Sequence, residues 1–230
     1  LSFVPPLVLT FLYDEPGREI FLYSFIFFSI LGVSIWASSR QQNLPLNISD
    51  GFIITTLFWV VLACVGSIPF YFFGINISDA IFESVSGITT TGATTIVGLD
   101  NLPKSILLYR QLLQWIGGMG LIVLAVAVMP ALGIGGGQLY KMELPGSHSS
   151  QKLTPRITDS AKALWKIYAG LTFMCATLYL FAGMSLFDSI AHSLSTVAGG
   201  GFSTHDESIG FFNSSFIEAT CIIFMLLSAA

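Results

Sequence analysis

The sequence predicts an all-α polytopic membrane protein made of repeated units, each a long helix, a short re-entrant helix with its loop, and a second long helix. Three observations carry that expectation. The 230 residues are 53% hydrophobic and only 10% charged, with a mean hydropathy of +0.78, whereas a soluble domain carries about 25% charged residues. Apolar runs recur at spanning length, which is about 20 residues for a bilayer core. A short helical pattern followed by small residues also occurs twice, at one constant separation. The net charge of -4 and a pI near 5.2 exclude a nucleic-acid binder, because no cluster of Lys and Arg is dense enough to neutralise a run of phosphates.

Taken in order, residues 1–13 read as the remainder of a membrane helix. They do not read as a signal peptide, since no charged region precedes them and no small-residue cleavage site follows. Runs at 20–37, 52–73, 106–132 and 164–183 each suffice to span at about 1.5 Å per residue, and 211–230 begins another. Both ends of the chain lie inside apolar stretches, so the expectation is a fragment of a longer protein. Cys64, Cys175 and Cys221 all sit in apolar runs and are expected to be buried free thiols. Arg40, Lys141, Lys152, Arg156, Lys162 and Lys166 alternate with connections carrying Asp14, Glu15, Glu19, Asp79, Glu83, Asp100, Asp188, Asp206 and Glu207. By the positive-inside tendency, segments 40–50 and 138–163 face the cytoplasm and the acidic connections face out.

The repeat is the most informative feature. DAIFESVSGITTTGATT (79–95) aligns without a gap on DSIAHSLSTVAGGGFST (188–204), an offset of 109. Asp79 matches Asp188, Ser84 matches Ser193, Ser86 matches Ser195, Gly92 matches Gly201 and Thr95 matches Thr204, and the same offset carries Gly74 onto Gly183 and Ser105 onto Ser214. The expected organisation is 1–51 before the repeats, 52–137 as a first repeat, 138–160 as a cytoplasmic linker and 161–230 as a second repeat cut in its last helix. Each short helix, expected at 79–88 and 188–197, is too short to cross a bilayer, which suits a re-entrant element lined by protein or water.

Such a helix starts outside and ends near the membrane centre, where its carboxyl end carries about half a negative charge and favours cations. Asp79 and Asp188 are expected to cap the helix starts. The loops TTTGA and AGGGF need extended or left-handed backbone, which Gly92 and Gly201 permit. Rings of carbonyls presented by such loops replace the hydration shell of a potassium ion. By contrast, Gly117, Gly118, Gly120, Gly133, Gly135, Gly136 and Gly137 are expected to serve helix packing or helix ends. A phosphate loop at 133–137 is excluded because no strand precedes it and no Lys-Ser or Lys-Thr follows.

Arg110, Gln111 and Gln114 open the run at 106–132, and a charge at that depth calls for a function or a partner. The two readings are direct ion handling and an interfacial anchor paired with Glu83. Glu83 and His192 occupy matching repeat positions and are expected to stabilise their short helices from behind. Asp206 and Glu207 either concentrate cations at a mouth or belong to a solvated loop. Ser203, His205 and Asp206 hold the residue types of a hydrolase, but residues this close along an extended loop point in alternating directions. Three classes follow: a cation channel or transporter, an intramembrane hydrolase, and a non-conducting membrane scaffold.

At TTTGAT (89–94), TIVGLDNLP (95–103), YRQLLQWIGGMGLIVLAVAVMPALGIGGGQLY (109–140), TPRITDSAKALW (154–165) and GGFSTHD (200–206) the chain resembles the TrkH family, the membrane subunits of bacterial Trk potassium uptake systems, within the Trk/Ktr/HKT superfamily. The resemblance implies four repeats around one pore, of which two are present here, with 1–51 as the remainder of two extra N-terminal helices. It places the filter backbone on Thr90 and Thr91 before Gly92, and on Gly199 and Gly200 before Gly201. Gly199 stands where a larger apolar residue is expected, which predicts a looser second loop. With one glycine per loop in common, the implied filter is less strict than that of potassium channels and admits other monovalent cations. The resemblance further implies a non-enzymatic protein with potassium as cargo and no organic cofactor, a homodimer in the lipid bilayer of the bacterial inner membrane, and a cytosolic nucleotide-binding regulatory subunit of the TrkA type.

Overall fold

The computed structural model describes residues 2–39, 48–131 and 153–229, with side chains described outside 48–52, 54, 121–131 and 153–161. Every regular element among them is helical. Helix α1 (Val4–Leu12) is started by its two prolines, whose fixed φ suits a first turn, and the chain turns back at Asp14 and Gly17, both at positive φ. Helices α2 (Arg18–Ser39) and α3 (Ile48–Phe72) follow. The short α4 (Ile77–Ile88) leads through a loop and a 3-10 turn at Leu99–Asn101 into α5 (Lys104–Ala131). The second passage repeats the plan with α6 (Leu153–Phe181), the short α7 (Leu186–Ala198), a 3-10 turn at Ser208–Phe212, and α8 (Ser215–Ala229). Among the described residues, three helices are long and apolar enough to cross a membrane: α2, the part of α3 from Thr55, and the part of α6 from Lys162.

Helix α6 starts at Leu153, well before the apolar run at 164, so part of the expected linker is helical. Pro155 is compatible with that start, since a first turn tolerates a residue without an N–H. The apolar run marks the membrane-embedded part of a helix, and polar turns extend beyond it. The expected linker before Leu153 and the glycines at 133–137 lie outside the described residues. At the other end, α5 begins where the Glu15 carboxylate accepts the N–H groups of Lys104 and Ser105, at 2.9 Å each. Two orphan donors are satisfied there by an anion placed at the positive end of the helix dipole.

The ends of α3 and α6 are closed by the same backbone bonds. Gly74 donates to the Tyr71 carbonyl and Ile75 to that of Phe70, and 109 residues later Gly183 donates to Leu180 and Met184 to Tyr179. Tyr109 of α5 forms the centre of the first core, its ring 5.3 to 5.8 Å from those of Phe70, Phe21 and Phe3, and its hydroxyl donates to the Gly66 carbonyl at 3.1 Å. The second core joins α6, α7 and α8 through Tyr168, Cys175, Tyr179, Val197, Ile217 and Phe224. Trp115 ties it to α5, donating to Thr172 at 3.0 Å while its carbonyl accepts from Tyr168. Of the three cysteines only Cys175 is buried; Cys64 is exposed and Cys221 half-buried. An apolar run on a membrane helix does not reveal which face meets protein, and Cys64 lies on the outward face of α3.

Helix α5 stands between the two short helices, and its glycines make that possible. A Cβ on Gly117 would lie 1.9 Å from the Ile88 carbonyl oxygen, at the end of α4, and one on Gly118 would lie 3.4 Å from the Ala198 Cα, at the end of α7. The packing role expected for these two glycines is thus realised against the ends of both short helices. Gly117→Ala should therefore destabilise the protein by about 1–3 kcal/mol. Gly170→Ala, where nothing among the described residues lies within 4 Å, should be neutral or stabilising by up to about 1 kcal/mol. Thermal unfolding of the full-length protein in detergent checks the contrast.

Candidate functional site

The two short helices start differently from the expectation. The N-cap positions are Asn76 and Ser185, and Asp79 and Asp188 sit in the first turn instead. In α7 the Ser185 hydroxyl accepts from the Asp188 N–H at 3.1 Å and donates to its carboxylate at 2.7 Å. Serine at the cap and an acid three residues later satisfy each other's ends, so the acid belongs inside the helix. Asp188 also accepts from the Thr204 hydroxyl at 2.8 Å, fastening the start of α7 to the far end of its own loop.

The helix ends are the same in both repeats. Thr90 donates to the Gly87 carbonyl and Thr91 to that of Ser86, while Gly199 donates to Thr196 and Gly200 to Ser195, at 2.9 to 3.0 Å. Thr90 (φ +56) and Gly199 (φ +69) both take the left-handed conformation, as do Gly92 (φ +77) and Gly201 (φ +80). The glycine at 199 stands where the first loop holds a threonine in the same left-handed conformation. It adopts without strain a conformation that costs Thr90 about 1–2 kcal/mol, and its backbone is bonded in the same way. The loops also meet directly, since a Cβ on Gly92 would lie 1.7 Å from the Gly200 carbonyl oxygen.

Behind each loop stands a strut. The Thr94 hydroxyl donates to the Glu83 carboxylate at 2.9 Å, and the Ser203 hydroxyl lies 2.9 Å from His192 Nε2. Both pairs keep the offset of 109, so the stabilising role expected for Glu83 and His192 is realised with different chemistry. Asp188 contributes its carbonyl to His192 Nδ1 at 2.9 Å. A carbonyl only accepts, so Nδ1 carries the proton and neutral Nε2 accepts from Ser203.

Arg110 joins everything. Its side chain and that of Glu83 are fully buried and 2.6 Å apart. Nη1 donates to the Ser203 carbonyl and Nη2 to the Thr94 hydroxyl, both at 3.1 Å, and the guanidinium stacks 4.3 Å from the Phe202 ring centroid. The partner expected at Glu83 is present, but this is no interfacial anchor: the charge is enclosed by both loops. Gln114 is also fully buried, its Oε1 accepting from the Phe202 N–H at 3.1 Å. The amide of Gln111, equally buried, has no hydrogen-bond partner among the described residues.

The outer connections are clasped together. Asp206 accepts from the Gly98 and Leu99 N–H groups at 3.0 and 3.1 Å, and its own N–H reaches Asp100 at 3.3 Å. The His205 imidazole pairs with the Asp100 carboxylate and stacks 3.6 Å from the Phe211 ring. Hydrogen bonding from His205 holds the Asp100 carboxyl below the usual carboxylate range. Asp206 thus braces the neighbouring repeat although it is exposed, as Glu207 is too.

No triad forms from Ser203, His205 and Asp206. Ser203 bonds His192, the His205 ring faces Asp100, Asp206 is engaged at Gly98, and Ser203 is buried out of reach of a substrate. Sequence reasoning missed Thr94, the Gln114 bond and the Asp100–His205 clasp. Only the first carried a signal, as Thr94 and Ser203 align as hydroxyl residues.

Removing one member of the buried pair strands the other charge, a loss of about 3–5 kcal/mol. Glu83→Ala and Arg110→Ala in the full-length protein should each lower its stability on that scale, and the double variant should lose clearly less than the sum. A double-mutant cycle by thermal unfolding reads the coupling.

The family model described as "TrkH: Cation transport protein" matches residues 17–230. The chain is 50% identical over 232 residues to the Trk system potassium uptake protein TrkH of Vibrio parahaemolyticus, covering 100% of this chain and 48% of that one. It is 51% identical over 228 residues to the TrkH protein of Escherichia coli K12, covering 98% and 47%, and 45% identical to the TrkG protein of the same organism. Among solved structures, the crystal structure of the potassium transporter TrkH from Vibrio parahaemolyticus superposes with a TM-score of 0.87 at 46% identity, covering 100% of this chain and 46% of that one. The chain spans about half the length of the curated relatives it matches. The loops, the short helices and the matched length place the chain in the TrkH family of cation transport proteins.

Proposed function

We propose that this chain supplies two of the four filter loops of a pore that takes up potassium across the bacterial inner membrane. The observation that carries the reading is the pair of loops, 109 residues apart, that share backbone bonds and left-handed positions and touch at Gly92 and Gly200. Loops alike in backbone and unlike in side chain suit coordination by carbonyls, which every residue has. The carbonyls of Thr90, Thr91, Gly199 and Gly200 are the proposed potassium ligands, with Gly92 and Gly201 shaping the turns. The chemistry is then dehydration and rehydration of the ion, with other monovalent cations admitted more weakly.

The proposed organisation is 1–51 as N-terminal helices, 52–137 and 161–230 as pore repeats, and 138–160 as a cytoplasmic linker. The names of the relatives, Trk system potassium uptake proteins, support potassium as the cargo. A homodimer and a TrkA-type nucleotide-binding subunit on the cytoplasmic side complete the proposed assembly, the basic residues Lys141, Lys152 and Arg156 suiting contact with the latter.

The full-length protein should restore growth at low potassium to an uptake-deficient bacterial strain; failure of the wild type to do so overturns the reading. Gly92→Ala should abolish uptake or potassium over sodium discrimination, because its Cβ would overlap the Gly200 oxygen. Gly201→Ala, at the matching left-handed position (φ +80), should impair discrimination as well, its backbone conformation alone costing about 1–2 kcal/mol. Thr90→Ser keeps the carbonyl and should be nearly silent. Unchanged discrimination in Gly92→Ala contradicts the filter assignment.

A further inference from the structure

We propose that Gln114 is a positioning residue for cation discrimination, a crossbar on α5 that sets the spacing of the two loops; this rests on the reading of those loops as a potassium filter. Its amide touches both. Oε1 accepts the Phe202 N–H at 3.1 Å, immediately after Gly201. The amide carbon lies 2.4 Å from where a Gly200 Cβ would be, and Nε2 lies 3.6 Å from where a Gly92 Cβ would be. The side chain is thus pressed against the backbone of Gly200, bonded beyond Gly201, and adjacent to Gly92, at the point where the loops meet.

Three features separate this residue from ordinary packing. Gln114 is fully buried, and its Nε2 has no hydrogen-bond partner among the described residues, so its polar head is placed beside the loops although an apolar side chain would avoid an unsatisfied donor. Only its acceptor is used, and it is used on the filter backbone. Gly200 has no room for any side chain because the amide occupies that space. Finally, the position is not repeated: 109 residues on stands the apolar Ile223 of α8, so the crossbar belongs to α5, which lies between these two loops.

The wedge acts on geometry rather than by touching the ion. A carbonyl cage discriminates by the number and spacing of its oxygens, and a shift at Gly200 would change both the Gly200 carbonyl and the neighbouring Gly92 turn. Replacing the amide by an apolar group also leaves the Phe202 N–H buried without an acceptor, which releases the loop from α5.

The test uses the full-length protein in proteoliposomes, with the ratio of potassium to sodium flux as the readout. Gln114→Leu should lower that ratio by about tenfold, the scale of one buried hydrogen bond, while potassium still passes. Gln111→Leu, buried on the same helix, should leave it unchanged. If Gln114→Leu is not produced in folded form, Gln114→Asn, which withdraws the acceptor by one carbon, should show the same loss. A wild-type ratio in the Gln114→Leu or Gln114→Asn protein overturns the inference and leaves the filter reading intact. Equal losses in the Gln111 and Gln114 variants overturn it too, as a general packing effect. A wild-type protein that carries no potassium removes the filter reading itself.

Discussion

A guanidinium buried in a membrane protein has to be neutralised and hydrogen-bonded on the spot, and that demand from Arg110 organises the rest of the structure. Its counter-ion, Glu83, sits on the back of α4, so the pair draws the short helix against α5. The remaining donors are spent on the Thr94 hydroxyl and the Ser203 carbonyl, one from each loop. A charge that would be costly if exposed to lipid becomes the point from which two separate re-entrant segments are held in register. The glycines at 117 and 118 are the steric counterpart, letting the ends of both short helices approach the same long helix.

The two repeats show what such a design holds constant and what it lets vary. Backbone bonds at the helix ends and two left-handed positions in each loop are kept, whereas the residues that brace them change. Glu83 and His192 support Thr94 and Ser203 by different polar groups, and Thr90 occupies the conformation that Gly199 takes freely. Differences of this kind are expected where function resides in carbonyl positions, because a side chain then matters only through the backbone it places. Arg110 and Gln114 have no counterparts at Ala219 and Ile223. Neighbouring loops are therefore joined by contacts particular to the helix between them.

Much of this was legible in the residues. Apolar runs located the long helices, and the alignment of 79–95 on 188–204 located both loops, because a duplicated backbone leaves matching Gly, Ser and Asp behind. The cost of a lone charge in the membrane called for a function or a partner at Arg110, and pairing with Glu83 was one of the two readings it allowed. What sequence could not supply was facing and length beyond the bilayer: Cys64 on an outward surface, the polar first turns of α6, and the true caps Asn76 and Ser185. The contacts that Asp206, His205 and Gln114 make across the repeats join residues about 90 to 110 positions apart. Nothing in local spacing encodes them; they arise only once α5 has been set between the short helices.

The proposed function requires a cation held by loop carbonyls rather than by side-chain charge. Anomalous diffraction from crystals of the full-length protein soaked in rubidium or thallium measures this directly. A cation held in that way gives an anomalous peak in contact with the carbonyl oxygens of Thr90, Thr91, Gly199 and Gly200. A peak beside Asp100, Asp188 or Asp206 with none at those carbonyls would contradict it.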